Sequence, residues 1–175
     1  MLYGVTLLLR DTENIRNIWE ALAGKGVSRD QVDFGCSPHV TLAGYDMDDP
    51  RALAQDMKKL LENSGPIPVS FSEITILFKQ TCCALVARPE RVNDLFSRQA
   101  LVFAARKSTR PIDHIDKWQG HVTLARQIPQ ENVAAAVTIA TEHFRPFKTE
   151  LNAMAIMSVS DSVPTTGKTL LIAHL

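Results

Sequence analysis

The chain has 175 residues, 45% of them apolar, with 19 Lys and Arg set against 19 Asp and Glu. That is enough for one domain with a full core, and the neutral balance argues against a long nucleic-acid duplex held along its backbone. A small ligand, or one end of a nucleic acid, fits better. Three cysteines, Cys36, Cys82 and Cys83, make no disulfide framework and suit a reducing compartment. The start, MLYGVTLLLRDTE, has no basic residue before its short apolar run, unlike a signal peptide, and no stretch nears the roughly 20 apolar residues of a membrane span. The expectation is a soluble cytoplasmic monomer.

Residues 2–9 alternate loosely and are rich in β-formers, so they predict a strand. Asp11-Thr12 offers an N-cap, and Ile15, Ile18, Trp19 and Leu22 fall at i, i+3, i+4 and i+7, an amphipathic helix that Gly24 stops. A loop leads to HVTLAGY, a short strand. Asp49-Pro50 opens a second helix, with Pro at its first position and Leu53, Met57, Leu60 and Leu61 as its buried stripe. Beyond Gly65-Pro66 comes a strand over 67–78. The order then repeats. A strand over 82–88 precedes a helix opened by Pro89, with Val92, Leu95, Phe96, Val102 and Phe103 inward. A loop from about Lys107 to Gln119 leads to the strand HVTLARQ. Pro129-Gln130 begins a helix with Val133, Val137, Ala140 and Phe144 on one face. Strands over 146–159 and 169–175 close the chain.

The five residues HVTLA occur twice, from His39 and from His121. Chance produces such a repeat in a chain this long on the order of one time in a hundred. Other elements recur at similar offsets, Pro50 against Gln130 and Pro68 against Pro146. The chain is read as a twofold repeat of β-α-β-α-β, about 2–78 and 82–158, closed by the strand over 169–175. The fold class expected for residues 1–175 is α+β: one two-lobed domain about a pseudo-twofold axis, with mainly antiparallel sheets, helices outside and a central cleft.

Side chains alternate across a strand, so His39 and Thr41 share one face and Val40 and Leu42 the other; His121 and Thr123 oppose Val122 and Leu124 in the same way. The apolar pairs belong in the core, and both His-Thr pairs face the cleft. Two imidazoles at one point are suited to acid–base work near neutral pH, one taking a proton from a nucleophile and the other giving one to a leaving group. Two threonine hydroxyls between them can bind two oxygens of a phosphodiester. This geometry asks for no metal and no cofactor. A zinc site using both histidines with Cys36, Asp33 or Asp46 is the weaker reading, since Thr is not a usual ligand and no C-x-x-C or H-E-x-x-H spacing is present.

Paired H-x-T-x motifs about eighty residues apart resemble the two-histidine phosphoesterase superfamily. It includes RNA 2′,3′-cyclic phosphodiesterases, proteins called 2′-5′ RNA ligases, and plant and yeast cyclic phosphodiesterases. The resemblance covers essentially the whole chain. Pro38 before the first motif and Arg126 after the second fit common variants, and Gly120 stands where many members have proline. The resemblance implies His39 and His121 as acid and base, and Thr41 and Thr123 as phosphate ligands. The expected substrate is a small nucleotide cyclic phosphate or an RNA terminus. Ligation of RNA ends through a 2′-5′ bond, and a nucleotide-binding module without turnover, are the other readings.

Further candidates follow from placement. Arg126 is a candidate phosphate ligand, although strict alternation turns it away from His121 and so puts it at a strand end. Tyr3, Phe34 and Trp118 are candidates for stacking on a base. Tyr45 shares the parity of His39 and is expected at the cleft rim. Lys25 and Arg29 in one loop, and Arg106, Lys107, Arg110 and Lys117 in the other, are candidates for steering an anion. TTGKTL (165–170) only mimics a P-loop, because Ser162 stands where the upstream glycine belongs.

Overall fold

In the computed structural model, residues 1–78, 82–108, 110–159 and 169–175 are described. They form one antiparallel sheet of seven strands: β1 Leu2–Leu9, β2 His39–Asp46, β3 Ile67–Phe78, β4 Cys83–Pro89, β5 Val122–Ile128, β6 Phe147–Val159 and β7 Thr169–His174. The helices are α1 Glu13–Gly24, α2 Asp30–Phe34, α3 Arg51–Leu61, α4 Asn93–Ala105 and α5 Val133–His143. The strand order is β1-β2-β5-β4-β3-β6-β7, and β1 also pairs with β6, which closes six strands into a ring. The loop expected before the first motif contains α2, and the loop before the second contains a 3-10 turn, Pro111–Asp113. Of the P-loop mimic, residues 165–168 lie outside the described residues, and Thr169 and Leu170 begin β7.

The duplication is written in the strand registers. Val5 pairs with Ile156 as Leu85 pairs with Ile76, and Leu7 pairs with Val40 as Ala87 pairs with Val122. Even an irregularity is repeated. Val5 opposes Ala43 but Thr6 opposes Thr41, so Leu42 is an extra residue in β2; Leu85 opposes Ala125 but Val86 opposes Thr123, so Leu124 is its twin in β5. A bulge at the same place in both HVTLA copies means that both copies bend alike.

The two halves exchange their third strands. The far part of β3 pairs with β4, and the far part of β6 pairs with β1. Their near parts pair with each other, from Ile67 opposite Leu151 to Phe71 opposite Phe147. The spatial lobes are therefore β1, β2, β6, β7 and β3, β4, β5, each built from both repeats. Phe71 and Phe147 stack at 5.0 Å between ring centroids where the strands cross over. Burying an aromatic ring such as Phe71 contributes about 1.5–3 kcal/mol.

Helices α1, α3, α4 and α5 pack on one face of the sheet in a single core, while Phe34 of α2 packs with Leu8 in a separate apolar cluster. Ile15, Ile18, Trp19 and Leu22 of α1 are buried as their spacing predicts, and so are Leu53, Met57 and Leu61 of α3. Four helix details differ from expectation. Pro50 caps α3 rather than starting it, and Pro89 ends β4 while α4 begins at Asn93. The inner face of α4 carries Arg98 and Gln99 beside Leu95 and Val102, and leaves Phe96 36% exposed. In α5 the fully buried residues are Ala136 and Ala140, with Val133, Val137 and Phe144 at the margins of the core. Small residues let α5 lie close to its neighbours, which a search for large apolar residues does not register.

Candidate functional site

β2 and β5 are neighbours at a single pair, Val40 and Val122. Both valines are completely buried on the helix-covered side. Their neighbours His39, Thr41, His121 and Thr123 are half-buried on the opposite face. Extending the antiparallel register sets His39 across from Thr123 and Thr41 across from His121. The sheet thus gathers both His-Thr pairs around the pseudo-twofold axis.

Each imidazole is oriented by a backbone carbonyl two residues earlier. His39 Nδ1 is 2.8 Å from the carbonyl oxygen of Ser37, and His121 Nδ1 is 2.7 Å from that of Gln119. A carbonyl only accepts, so each Nδ1 carries a hydrogen and proton exchange falls to Nε2. The His39 pKa is lowered from the ordinary histidine value, chiefly by burial. The Ser37 carbonyl opposes that shift, while the charges of His121 and Arg126 add to it. Both imidazoles and Arg126 therefore share one electrostatic neighbourhood.

The bulges correct two expectations based on strict alternation. One extra residue reverses the parity of everything after it. Arg126, past Leu124, turns toward the cleft beside His39. Its Nε is 3.1 Å from Asp30 Oδ2, and its guanidinium lies over the Phe34 ring at 5.1 Å. Tyr45, past Leu42, turns into the core instead of the cleft rim. It is 2% exposed and its hydroxyl donates to the Arg106 carbonyl at 2.9 Å; burial pushes its pKa up to about 12. Tyr3 is the cross-strand partner of Tyr45 and is buried with it.

Trp118 is also withdrawn from the cleft face. It is 7% exposed, packs edge-on against Phe96, and its indole N–H donates to the Thr41 carbonyl at 2.9 Å. Trp19 does the same for the Thr123 carbonyl at 3.0 Å. β2 and β5 diverge after their single pair, so these carbonyls need donors from elsewhere, and two indoles supply them. Gly120 is required by this packing, because a Cβ there would lie 2.7 Å from the Trp118 ring.

Two carboxylates that the sequence reading missed hold the ends of the motifs. Asp30 Oδ2 accepts from the backbone N–H of Arg126 at 3.2 Å, and Asp113 Oδ2 accepts from that of Gly44 at 2.7 Å. Gly44 and Arg126 are twofold equivalents, each five residues after its histidine. Ser28 bonds to Asp30 and Ser108 to Asp113. The only hint was a serine ahead of each aspartate, at unequal spacings. Arg110 lies across Gly44, its Cδ and Nη1 at 2.8 and 2.9 Å from where a Cβ would stand. The lobe that lacks a strand arginine thus receives one from a loop.

Cys36 Sγ lies 3.8 Å from His39 Nδ1, and burial pushes its thiol up to about 12. Among the described residues no three His, Cys, Asp or Glu side chains converge as a metal site would require, and no helix is long and apolar enough to cross a membrane.

Solved structures share this architecture. Escherichia coli LigT complexed with ATP is 13% identical, with 99% of this chain and 96% of that chain covered and a TM-score of 0.61. LigT complexed with 3′-AMP is 14% identical, with 99% and 97% covered and a TM-score of 0.62. TT0787 of Thermus thermophilus is 16% identical, with 100% and 98% covered and a TM-score of 0.63. At these identities the likeness is one of fold. No curated protein matches the chain by sequence. The profile of the 2′-5′ RNA ligase superfamily matches residues 12–162, a span that takes in both histidine motifs. With its duplicated H-x-T strands, shared bulge and exchanged third strands, this chain belongs to the 2′-5′ RNA ligase superfamily.

Proposed function

We propose that the chain hydrolyses a nucleotide 2′,3′-cyclic phosphate, or a related 2′-linked RNA phosphodiester, by paired histidine acid–base catalysis without a metal. The observation that carries this reading is the matched pair of imidazoles at the Val40–Val122 contact, each with Nδ1 on a carbonyl. Water attacks phosphorus in line with the leaving oxygen. One Nε2 removes the water proton as the P–O bond forms, and the other protonates the leaving ribose oxygen as its P–O bond breaks. The lowered pKa of His39 keeps it neutral near pH 7, which suits the base, and His121 is then the acid. Thr41 and Thr123 hydroxyls hold the non-bridging oxygens, with Arg126 and Arg110 supplying positive charge at either end. LigT, which shares the fold, has been crystallised with ATP, 3′-AMP and phosphate, and these ligands fit a site for a nucleotide phosphate.

The superfamily's description favours a second reading, formation of a 2′-5′ bond. The same groups serve it if a ribose hydroxyl replaces water as the nucleophile. The test is a substrate panel of nucleoside 2′,3′-cyclic phosphates, ADP-ribose cyclic phosphate, RNA termini with and without a hydroxyl acceptor, and 2′-5′ oligonucleotides, with products separated by chromatography. Hydrolysis of a cyclic phosphate that survives EDTA and is lost in His39→Ala and His121→Ala is expected. Loss of activity on chelation, restored by zinc, would overturn the acid–base reading. Nucleotide binding without turnover of any substrate would reduce the chain to a binding module.

A further inference from the structure

Each histidine motif is clamped by a carboxylate from the other repeat, and the two clamps are unequal. Asp113 Oδ2 accepts from the Gly44 N–H at 2.7 Å, and Gly44 has no side chain to hold. Its twofold counterpart Asp30 Oδ2 accepts from the Arg126 N–H at 3.2 Å and also from Arg126 Nε at 3.1 Å. The backbone bond is common to both lobes and belongs to the strand end. The bond to Nε is an addition, made to a side chain. Asp30 is itself held in place for it. Ser28 Oγ donates to its Oδ1, and Gln31 Nε2 donates to its Oδ2 at 2.8 Å.

Arg126 is therefore fixed in direction and in plane. The bond from Nε to Asp30 sets the direction, and the Phe34 ring, its centre 5.1 Å from Cζ, supports the face of the guanidinium. The Arg126 and Asp30 side chains are only 27% and 22% exposed, unlike surface pairs whose attraction water and salt screen away. Asp30 and Phe34 are the two ends of α2. Phe34 packs with Leu8 and Cys36, Leu8 is the cross-strand partner of His39, and Cys36 Sγ lies 3.8 Å from His39 Nδ1. One short helix thus supports both the arginine and the surroundings of the imidazole, and the Arg126 charge acts on His39. A guanidinium is a rigid planar fork, so its hold on phosphate oxygens depends on its aim, and a misplacement of about 1 Å costs on the order of 10²-fold in rate.

We propose that Asp30 is a positioning residue, which reaches across from the first repeat and aims the Arg126 guanidinium at the phosphate bound between His39 and His121. The inference rests on the phosphodiesterase reading above and adds to it a residue that works through another side chain. Its removal therefore matters to the phosphate only while Arg126 is present.

The experiment is a double-variant cycle of Asp30→Ala and Arg126→Met, read by kcat/KM on a nucleoside 2′,3′-cyclic phosphate and by the calorimetric Kd of inorganic phosphate. Arg126→Met should cost about ten- to hundredfold, the worth of hydrogen bonds to a charged group, and Asp30→Ala about tenfold. In the Arg126→Met background Asp30→Ala should cost little more, because the side chain it aims is already gone. The same factor for Asp30→Ala in both backgrounds would overturn the positioning role and leave Asp30 a tether of the backbone N–H. A second readout needs neither turnover nor phosphate and uses the milder Asp30→Asn, which keeps the shape of the side chain. The bond to Asp30 shields the Arg126 Nε–H from exchange with water. Its ¹⁵N-edited NMR resonance should move and exchange faster in Asp30→Asn; an unmoved resonance would overturn the proposal whatever the kinetics. The two claims separate here. A chain that hydrolyses no cyclic phosphate contradicts the phosphodiesterase reading, while the phosphate Kd and the Nε–H resonance still decide the role of Asp30.

Discussion

The two half-sites share a backbone and differ in what surrounds it. Both have a buried valine flanked by His and Thr, a bulge at the following leucine, a carbonyl on Nδ1 and an aspartate on the N–H five residues after the histidine. Around His39 stand Cys36 and Pro38; around His121 the matching places hold Trp118 and Gly120. A small residue followed by a bulky one is exchanged for a bulky residue followed by none. The exchange keeps the strand path while giving the histidines different neighbours, an apolar cluster holding Leu8 and Cys36 beside His39 and Arg88 in the equivalent register beside His121.

The first way to break this comparison is to remove either imidazole. His39→Ala and His121→Ala should each cost about 10²–10⁴-fold in rate, and the double variant should be little worse than the poorer single, because either loss disables the paired transfer. Additive losses would mean two independent sites. Thr41→Ala and Thr123→Ala come next. Each removes one bond to the phosphate and leaves proton transfer in place, so steady-state kinetics should show about ten- to hundredfold lost, nearly equal in the two lobes.

Much of this was legible from side-chain pattern, because the strands and helices are set by apolar spacing. Ile15, Ile18, Trp19 and Leu22 announce α1, and the HVTLA repeat marks the two strands that meet at Val40 and Val122 and carry the candidate site. What was not legible is set by backbone pairing. A bulge adds no unusual residue, so nothing in HVTLA shows that Leu42 and Leu124 reverse the parity of Tyr45 and Arg126. The exchange of third strands also leaves no mark, since β3 reads the same whichever lobe it joins. Tyr3 and Trp118 look like ligands in sequence because an aromatic near a motif suits both a base and a core. Asp30 and Asp113 act on backbone N–H groups far along the chain, which no local motif records.

The tryptophans give a smaller test. Trp118→Phe and Trp19→Phe keep the ring but strip the donor from the Thr41 and Thr123 carbonyls. Each should lower stability by about 1–3 kcal/mol, seen as an earlier denaturant midpoint with an unchanged m-value. An unaffected midpoint would show that water replaces the indole freely.

The smallest effect concerns pH. The folded-state pKa of His39 lies below its unfolded value of about 6.5, so below that pH the unfolded chain takes up a proton that the folded chain refuses. Its contribution is unchanged above about pH 6.5 and turns against folding as pH falls from there toward the folded pKa. His39→Gln should flatten the acid side of a plot of Tm against pH, and His121→Gln serves as the comparison in the other lobe.

The most direct measurement of the shared site is histidine ¹⁵N NMR with inorganic phosphate as the titrant, the resonances assigned through single His→Gln variants. The account predicts that neutral His39 and His121 both carry their hydrogen on Nδ1, and that both shift along one binding curve with a single Kd. Movement of one imidazole alone, or two curves with different Kd values, would contradict a single site built from two half-sites.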